Sequence, residues 1–173
     1  MREVQLRPLT LGDLATIYLW SQDEVFCRAN GWSIGLSWQQ LRTWWMALLQ
    51  TSPDVMLRSG VAVQDQLVGF VELSSFDWQE KTAVFGIAIG ARSLWGQGIG
   101  FQAGQLMLQH GFDHLQLKAI FAEVHAPNLR SLALMRKLGF EETGRLPLHE
   151  VYQGTLSDVV CFVLESSCWN SRI

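Results

Sequence analysis

The residues best placed to do chemistry form one short run, Trp95-Gly96-Gln97-Gly98-Ile99-Gly100. An apolar segment ends at Ile89, and a polar link from Gly90 to Leu94 leads into the run. Beyond it, Ile99, Ala103, Leu106, Met107 and His110 recur on one face of a helix. The pattern reads as strand, glycine-rich turn, helix. A helix start presents unpaired N–H groups and the positive end of the helix dipole. Glycines let a phosphate approach that backbone closely. The inference is an anion site sized for a pyrophosphate. Close helix–sheet packing would also account for the glycines, and both explanations stay open here. The run contains neither the G-x-x-x-x-G-K-[ST] of a P-loop nor the G-x-G-x-x-G of a dinucleotide fold.

The flanking sequence supplies the elements that must hold this turn. Val4 to Arg7 alternates apolar and polar residues and stops before Pro8, as a short edge strand does. Thr10, with Asp13 three residues on, opens a helical stripe of Leu11, Leu14, Ile17 and Tyr18. Residues 21 to 37 read as irregular, with turn signals at Asn30-Gly31 and Gly35. Ser37 caps a second helix, Trp38 to about Leu49, whose apolar face is Leu41, Trp44, Trp45 and Leu48. Five tryptophans (20, 32, 38, 44 and 45) crowd this part, as core, as a substrate wall, or as both.

From Val55 the period becomes strand-like. Val55 to Val63, Leu67 to Ser74 and Thr82 to Ile89 form an antiparallel meander, with a hairpin turn at Gln64-Asp65-Gln66. After the turn the helix carries a second apolar set, Phe101, Leu108 and Phe112, so it is expected to be covered on two sides. Lys118 to Val124 is a strand apolar on both faces, reached across a helix and hence parallel to the strand ending at Ile89. Pro127 and Asn128 open another helix, which stops at Leu138-Gly139. Phe140 to Gly144 and Val159 to Leu164 close the sheet around a polar loop, Pro147 to Ser157. The tail from Ser166 is expected to be loosely held.

At 173 residues the chain is expected to be one domain with a real core. With 49% hydrophobic and 17% charged residues it is not a disordered chain. Its net charge of −3 argues against nucleic acid as a partner, because a phosphate-tracking surface is basic. Cys27, Cys161 and Cys168 lack metal-ligand spacing, so no metal is expected. With no signal peptide at the N-terminus, they point to reduced thiols in the cytoplasm. No apolar run approaches the roughly 20 residues of a membrane helix.

The second half adds N-L-R-S-L-A-L-M-R-K-L-G-F-E-E-T-G and then H-E-V-Y-Q-G-T-L-S-D-V-V. With the turn and the meander, these resemble the GCN5-related N-acetyltransferase superfamily, and within it the ribosomal-protein N-terminal acetyltransferases. The resemblance covers nearly the whole chain and is strongest from Leu67 to Leu164. It implies a mixed α/β (α+β) fold: a mostly antiparallel sheet of about seven strands with a parallel, splayed central pair, flanked by about four helices. It implies acetyl-CoA as co-substrate, with the backbone of residues 95 to 100 (Trp95, Gly96, Gln97, Gly98, Ile99, Gly100) on the pyrophosphate. The strand end Ile87, Ala88 and Ile89 would hold the pantetheine arm and polarise the thioester carbonyl. Trp95 stands at the first position of the family's [QR]-x-x-G-x-[GA] motif, with Gly98 and Gly100 at the fourth and sixth. Asn128 matches an asparagine that contacts the cofactor; a plain helix cap is its other reading.

Acetyl transfer needs an amine that has lost a proton, a stabilised oxyanion and a protonated leaving thiolate. A lysine-type amine has a pKa near ~10.4 and an α-amine near ~8, so an N-terminal acceptor needs only a weak base or a water relay. Many family members use a tyrosine as the acid, and Met135 stands in its place here. In the ribosomal-protein branch a serine protonates the thiolate and a glutamate is the base; the matching positions are Ser131 and Glu150. Ser131 could instead bond the helix backbone, and Glu150 could be a solvated charge beside His149. Glu72 is a rival base, whereas Val84 occupies a position where the family often has a glutamate. His110 is expected to be packed, His125 could reach the site, and Cys161 is expected to be core. The expected reaction is direct attack in a ternary complex, without an acetyl-enzyme. The acceptor is a primary amine, on a protein N-terminus or on a small molecule such as a polyamine, amino sugar or antibiotic. A non-catalytic acyl-CoA-binding module is the alternative from another class. Monomer and homodimer are both open.

Overall fold

The computed structural model describes residues 3–170. Among these residues seven strands form one sheet in the order β1-β2-β3-β4-β5-β7-β6. The strands are β1 Val4–Arg7, β2 Met56–Val63, β3 Gln66–Asp77, β4 Thr82–Ile89, β5 Ala119–His125, β6 Glu141–Tyr152 and β7 Thr155–Glu165. The helices are α1 Leu14–Ser21, α2 Glu24–Asn30, α3 Trp38–Leu49, α4 Ile99–Gln109, α5 Leu129–Leu138 and α6 Ser166–Asn170. The fold is the mixed α/β architecture expected from the sequence. β1 lies at one edge, and β2 to β4 are the meander.

β4 and β5 are the parallel pair, and they stay together only at Thr82↔Ala119, Ala83↔Ile120 and Val84↔Phe121. Beyond Val84 each strand keeps its other neighbour, β3 or β7, and the two part company. The backbone from Phe85 to Ile89 therefore borders a gap. Alternate residues of a strand face opposite sides of a sheet. Val71 and Leu73 of β3 join one core with Phe85, Met107, Ile120, Met135 and Leu138. Phe70 joins a second core with Ile17, Phe26, Leu41 and Trp45.

Local chemistry explains where the elements begin. The Thr10 N–H donates to Asp13 Oδ2 at 2.8 Å, and Arg7 grips the same carboxylate at 2.6 Å. Ser37 accepts from the Gln40 N–H while the Ser37 N–H donates to Gln40 Oε1, which starts α3. Gln64 and Asp65 both adopt positive φ, 50° and 62°, the two-residue turn that matches strand twist.

Several segments differ from the sequence reading. Residues 21–37 are not all irregular: α2 starts where Asp23 accepts N–H bonds from Val25 and Phe26, and it stops at Gly31, φ 67°. Seven residues are too few to show a helical stripe, but the Asp and Gly bracketing them are ordinary start and stop signals. The long helix is α-helical only to Gln109, and His110–His114 forms a single π-helical turn. Leu106 is partly exposed and does not share the burial of its stripe. β5 is buried on one face only, because Phe121 and Glu123 on the other face are exposed. The region expected as a loop, Pro147 to Ser157, is mostly strand: β6 and β7 are long arms of a hairpin with register shifts at Glu142/Gly144 and Leu146/Glu150. The tail from Ser166 begins with α6, where Trp169 is buried and stacks on Phe112 at 5.6 Å. The last three residues lie outside the described residues.

Candidate active site

The gap between β4 and β5 opens onto a cavity of about 400 Å³. One wall is the end of β4, Ile87, Ala88 and Ile89, and another is the glycine turn with the first residues of α4. The third is α5, through Asn128, Arg130, Ser131 and Lys137. Ten of the eleven residues expected at a cofactor site line this one space: Ile87, Ala88, Ile89, Trp95, Gly96, Gly98, Ile99, Gly100, Asn128 and Ser131. Gln97 does not, since its side-chain amide turns back to the Ser93 carbonyl at 2.7 Å.

The glycines divide by role. Gly96 and Gly98 have φ of 77° and 81°, and a Cβ on either would meet nothing within 4 Å. They serve the backbone conformation of a turn that lines the cavity. Gly104 is the packing glycine: a Cβ there would lie 2.7 Å from Leu138 Cδ1, at the contact of α4 with α5. The first intrahelical bond of α4 runs from Gln102 N to Gly98 O, so the N–H groups from Gly98 to Phe101 have no partner within the helix.

Trp95 is tied down twice. Its indole N–H donates to the Ile89 carbonyl at 2.7 Å, which fixes the turn against the end of β4. The Arg130 guanidinium stacks over its ring at 3.6 Å. Further along, the Lys137 ammonium lies 4.5 Å over Phe101. The cavity thus combines unspent helix N–H groups with two cations, as a polyphosphate would require. Sequence reasoning named neither cation. Both lie on α5 among the residues following Asn128, and their spacing of seven was the available signal. Asn128 does cap α5, accepting from the Ser131 N–H at 3.2 Å, and it also lines the cavity. Both of its readings hold.

The catalytic candidates separate. Ser131 lines the cavity. Met135 is buried in the core and does not. Glu72 and Glu150 both lie outside the cavity wall. Glu72 is paired with Arg58 and faces Gly86 across the β3–β4 register, where a Cβ would come 3.0 Å from its Oε1. Glu150 belongs to β6, not to a loop, and its Oε2 lies 3.5 Å from His125 Nε2. His110 is partly buried; burial first, and the neighbouring His114 second, push its pKa down. All three cysteines are free. Cys27 is buried, whereas Cys161 is only half-buried. Burial raises the pKa of both thiols. Trp20 and Trp45 are core, Trp32 stacks on Phe70 at 6.1 Å, and Trp38 and Trp44 are exposed. The N-terminal part reaches the cavity through Ala29 and Asn30 of α2.

Residues 3–141 match the model of the acetyltransferase (GNAT) domain. The chain belongs to the GNAT family. It is 33% identical over 100 residues to the uncharacterized N-acetyltransferase p20 of Bacillus licheniformis, covering 58% of this chain and 56% of p20. It is 30% identical over 92 residues to the spermidine N(1)-acetyltransferase of Escherichia coli K12, covering 53% of this chain and 48% of that enzyme. The chain thus spans about half the length of these curated relatives. Its fold resembles that of the Vibrio cholerae spermidine N-acetyltransferase solved with CoA and spermine: TM-score 0.85, 24% identity, covering 96% of this chain and 98% of that one. None of these relatives singles out the ribosomal-protein branch of the GNAT family. Among the described residues no helix is long and apolar enough to cross a membrane, and no group of three His, Cys, Asp or Glu could hold a metal ion.

Proposed function

We propose that this GNAT protein transfers an acetyl group from acetyl-CoA to the primary amine of a small molecule, with a polyamine as the favoured acceptor class. The cavity at the β4–β5 split carries the reading. There, bare helix N–H groups, Arg130 and Lys137 meet the end of β4 on the side where β5 no longer pairs with it. The CoA pyrophosphate sits on the turn from Trp95 to Gly100, and the pantetheine arm lies along Ile87 to Ile89. A thioester carbonyl held there would accept from a backbone N–H of that strand end, which would stabilise the oxyanion. The amine attacks directly, the C–S bond breaks, and the Ser131 hydroxyl protonates the departing thiolate. Glu150 or Glu72 takes the amine proton. The spermidine acetyltransferases among the relatives support a small, cationic acceptor.

One observation favours a second acceptor. Ser131 lines the cavity while Met135 is withdrawn from it, the arrangement implied by the resemblance to protein N-terminal acetyltransferases. The two acceptors are separated by kcat/KM for spermidine against a short peptide with a free α-amine. A ratio well above one is expected. A ratio well below one would move the assignment to protein N-termini.

A further inference from the structure

Counting on from Val84↔Phe121, four residues along each parallel strand, places Ala88 and His125 level with each other across the split. Both lie on the sheet face opposite the α4–α5 core, where Val84 and Phe121 also point. Ala88 lines the cofactor cavity. His125 is therefore the last side chain of β5 on that face, level with the cavity-lining Ala88 although it does not line the cavity itself.

The surroundings of His125 are built with care for its orientation. Its ring stacks on the buried Tyr152 at 4.8 Å and 29°. Its carbonyl accepts the Asn128 N–H at 2.8 Å, which ties it to the start of α5 and the cavity wall. Glu150 reaches it from β6, across β7. Asp158 fixes both partners. Its backbone carbonyl accepts from the Ala126 N–H at 2.8 Å, just after His125. Its side-chain Oδ1 accepts from the Leu148 N–H at 2.9 Å, in the register shift just before Glu150. Leu148 holds a left-handed φ of 46° there, a cost the surrounding contacts sustain.

The two ring nitrogens of His125 differ. Nδ1 is buried and has no hydrogen-bond partner, whereas Nε2 faces the Glu150 carboxylate. Nδ1 is left without a partner in either tautomer, whereas Nε2 can meet a carboxylate only as a donor, so the N–H of the ring belongs on Nε2, directed at Glu150. We infer that His125 is a positioning residue for the acetyl transfer: its Nε2–H holds the half-exposed Glu150 carboxylate beside the split, where it receives the proton of the attacking amine. The inference rests on the acetyltransferase reading above. In the step, the amine nitrogen bonds to the thioester carbon, its proton passes to Glu150, and the C–S electron pair leaves with the thiolate.

Three variants test this. His125→Phe keeps the ring stacked on Tyr152 but removes the N–H. His125→Gln retains an N–H near the same place. Glu150→Gln removes the carboxylate charge. His125→Phe is expected to lower kcat about 10-fold or more, with KM for acetyl-CoA unchanged. His125→Gln is expected to recover most of the loss, and His125→Phe added to Glu150→Gln is expected to cost nothing further. Thermal melts of each variant report folding separately. Full kcat in His125→Phe, or losses that multiply in the double variant, would overturn the inference while leaving the acetyltransferase reading intact. A wild-type protein that acetylates no amine would remove that reading, and the role of His125 with it.

Discussion

Replacing Gly98 and Gly104 one at a time by alanine separates cofactor binding from packing. Gly98 sits at φ 81°, ψ 1°, as the residue that starts α4. A side chain there costs about 1–2 kcal/mol of backbone strain. For a chain of this length that is roughly 2–8 °C in Tm. The added methyl meets no protein atom within 4 Å, so it stands in open space on a residue that lines the cavity, next to the N–H groups assigned to the pyrophosphate. At 100 times Kd, acetyl-CoA should stabilise the wild type by ~2.7 kcal/mol, roughly 5–10 °C. A 10-fold weaker Gly98→Ala variant at the same concentration keeps only about 1.4 kcal/mol, roughly half that shift. Gly104→Ala is the control. Its methyl would crowd the buried Leu138 at 2.7 Å. That overpacking costs about 1–3 kcal/mol, less the ~1 kcal/mol by which alanine favours a helix. It should lower Tm in the absence of ligand yet keep the full shift. Thermal unfolding with and without acetyl-CoA reads all four quantities. A full shift in Gly98→Ala, or a lost shift in Gly104→Ala, would refute the placement of the cofactor on this turn.

Arg130→Ala should weaken acetyl-CoA binding about 10-fold, since a hydrogen bond to a charged group contributes roughly 1.5–3 kcal/mol. Titration calorimetry would show it, and an unchanged Kd would remove Arg130 from the phosphate site. Burial alone would raise the Asp13 carboxyl, but the bonds from Arg7 and Thr10 outweigh it and hold the carboxyl below the ordinary range. A folded-state pKa below the unfolded value means stability present at neutral pH and lost as pH falls through the folded pKa. Asp13→Ala should therefore cost about 1–2 kcal/mol at pH 7, discounted because the Arg7 side chain is 32% exposed. The gap to the wild type should shrink below about pH 4; melts at pH 7 and pH 3 that differ equally would contradict this. Cys27, fully buried with a raised thiol pKa, should react with Ellman's reagent only as the protein unfolds. Rapid labelling of Cys27 in the native protein, located by peptide mapping, would count against the packing around α2.

Most of the sheet was legible because its strands carry their own punctuation. Thr82–Ile89 has the limits read from its alternation, and the parallel placement of the strand after α4 followed from the connection alone. The cavity was legible in two ways: the glycine turn must stand between the end of β4 and the start of α4, and the resemblance to the acetyltransferases named Ile87 to Ile89, Asn128 and Ser131 beside it. Other features depend on contacts between distant parts of the chain. α2 is held by packing, with Phe26 buried and Asn128 donating to the Ala29 carbonyl at 3.5 Å, neither of which shows in a seven-residue pattern. Glu150 read as a loop residue because Pro147 and a polar run disguise an irregular strand, whose register shift is absorbed at Leu148. Arg130 and Lys137 were not singled out, because only the placement of Trp95 and Phe101 beneath them makes them part of a site.

The most direct test of the account is a single-turnover reaction of the purified protein with acetyl-CoA and spermidine, quenched and analysed by mass spectrometry while free CoA thiol is followed in parallel. The account expects one acetylated amine for each CoA released, with no acetyl group left on the protein. Acetyl-CoA that binds and is never consumed, with spermidine or with an α-amine peptide, would contradict it and leave an acyl-CoA-binding module in its place.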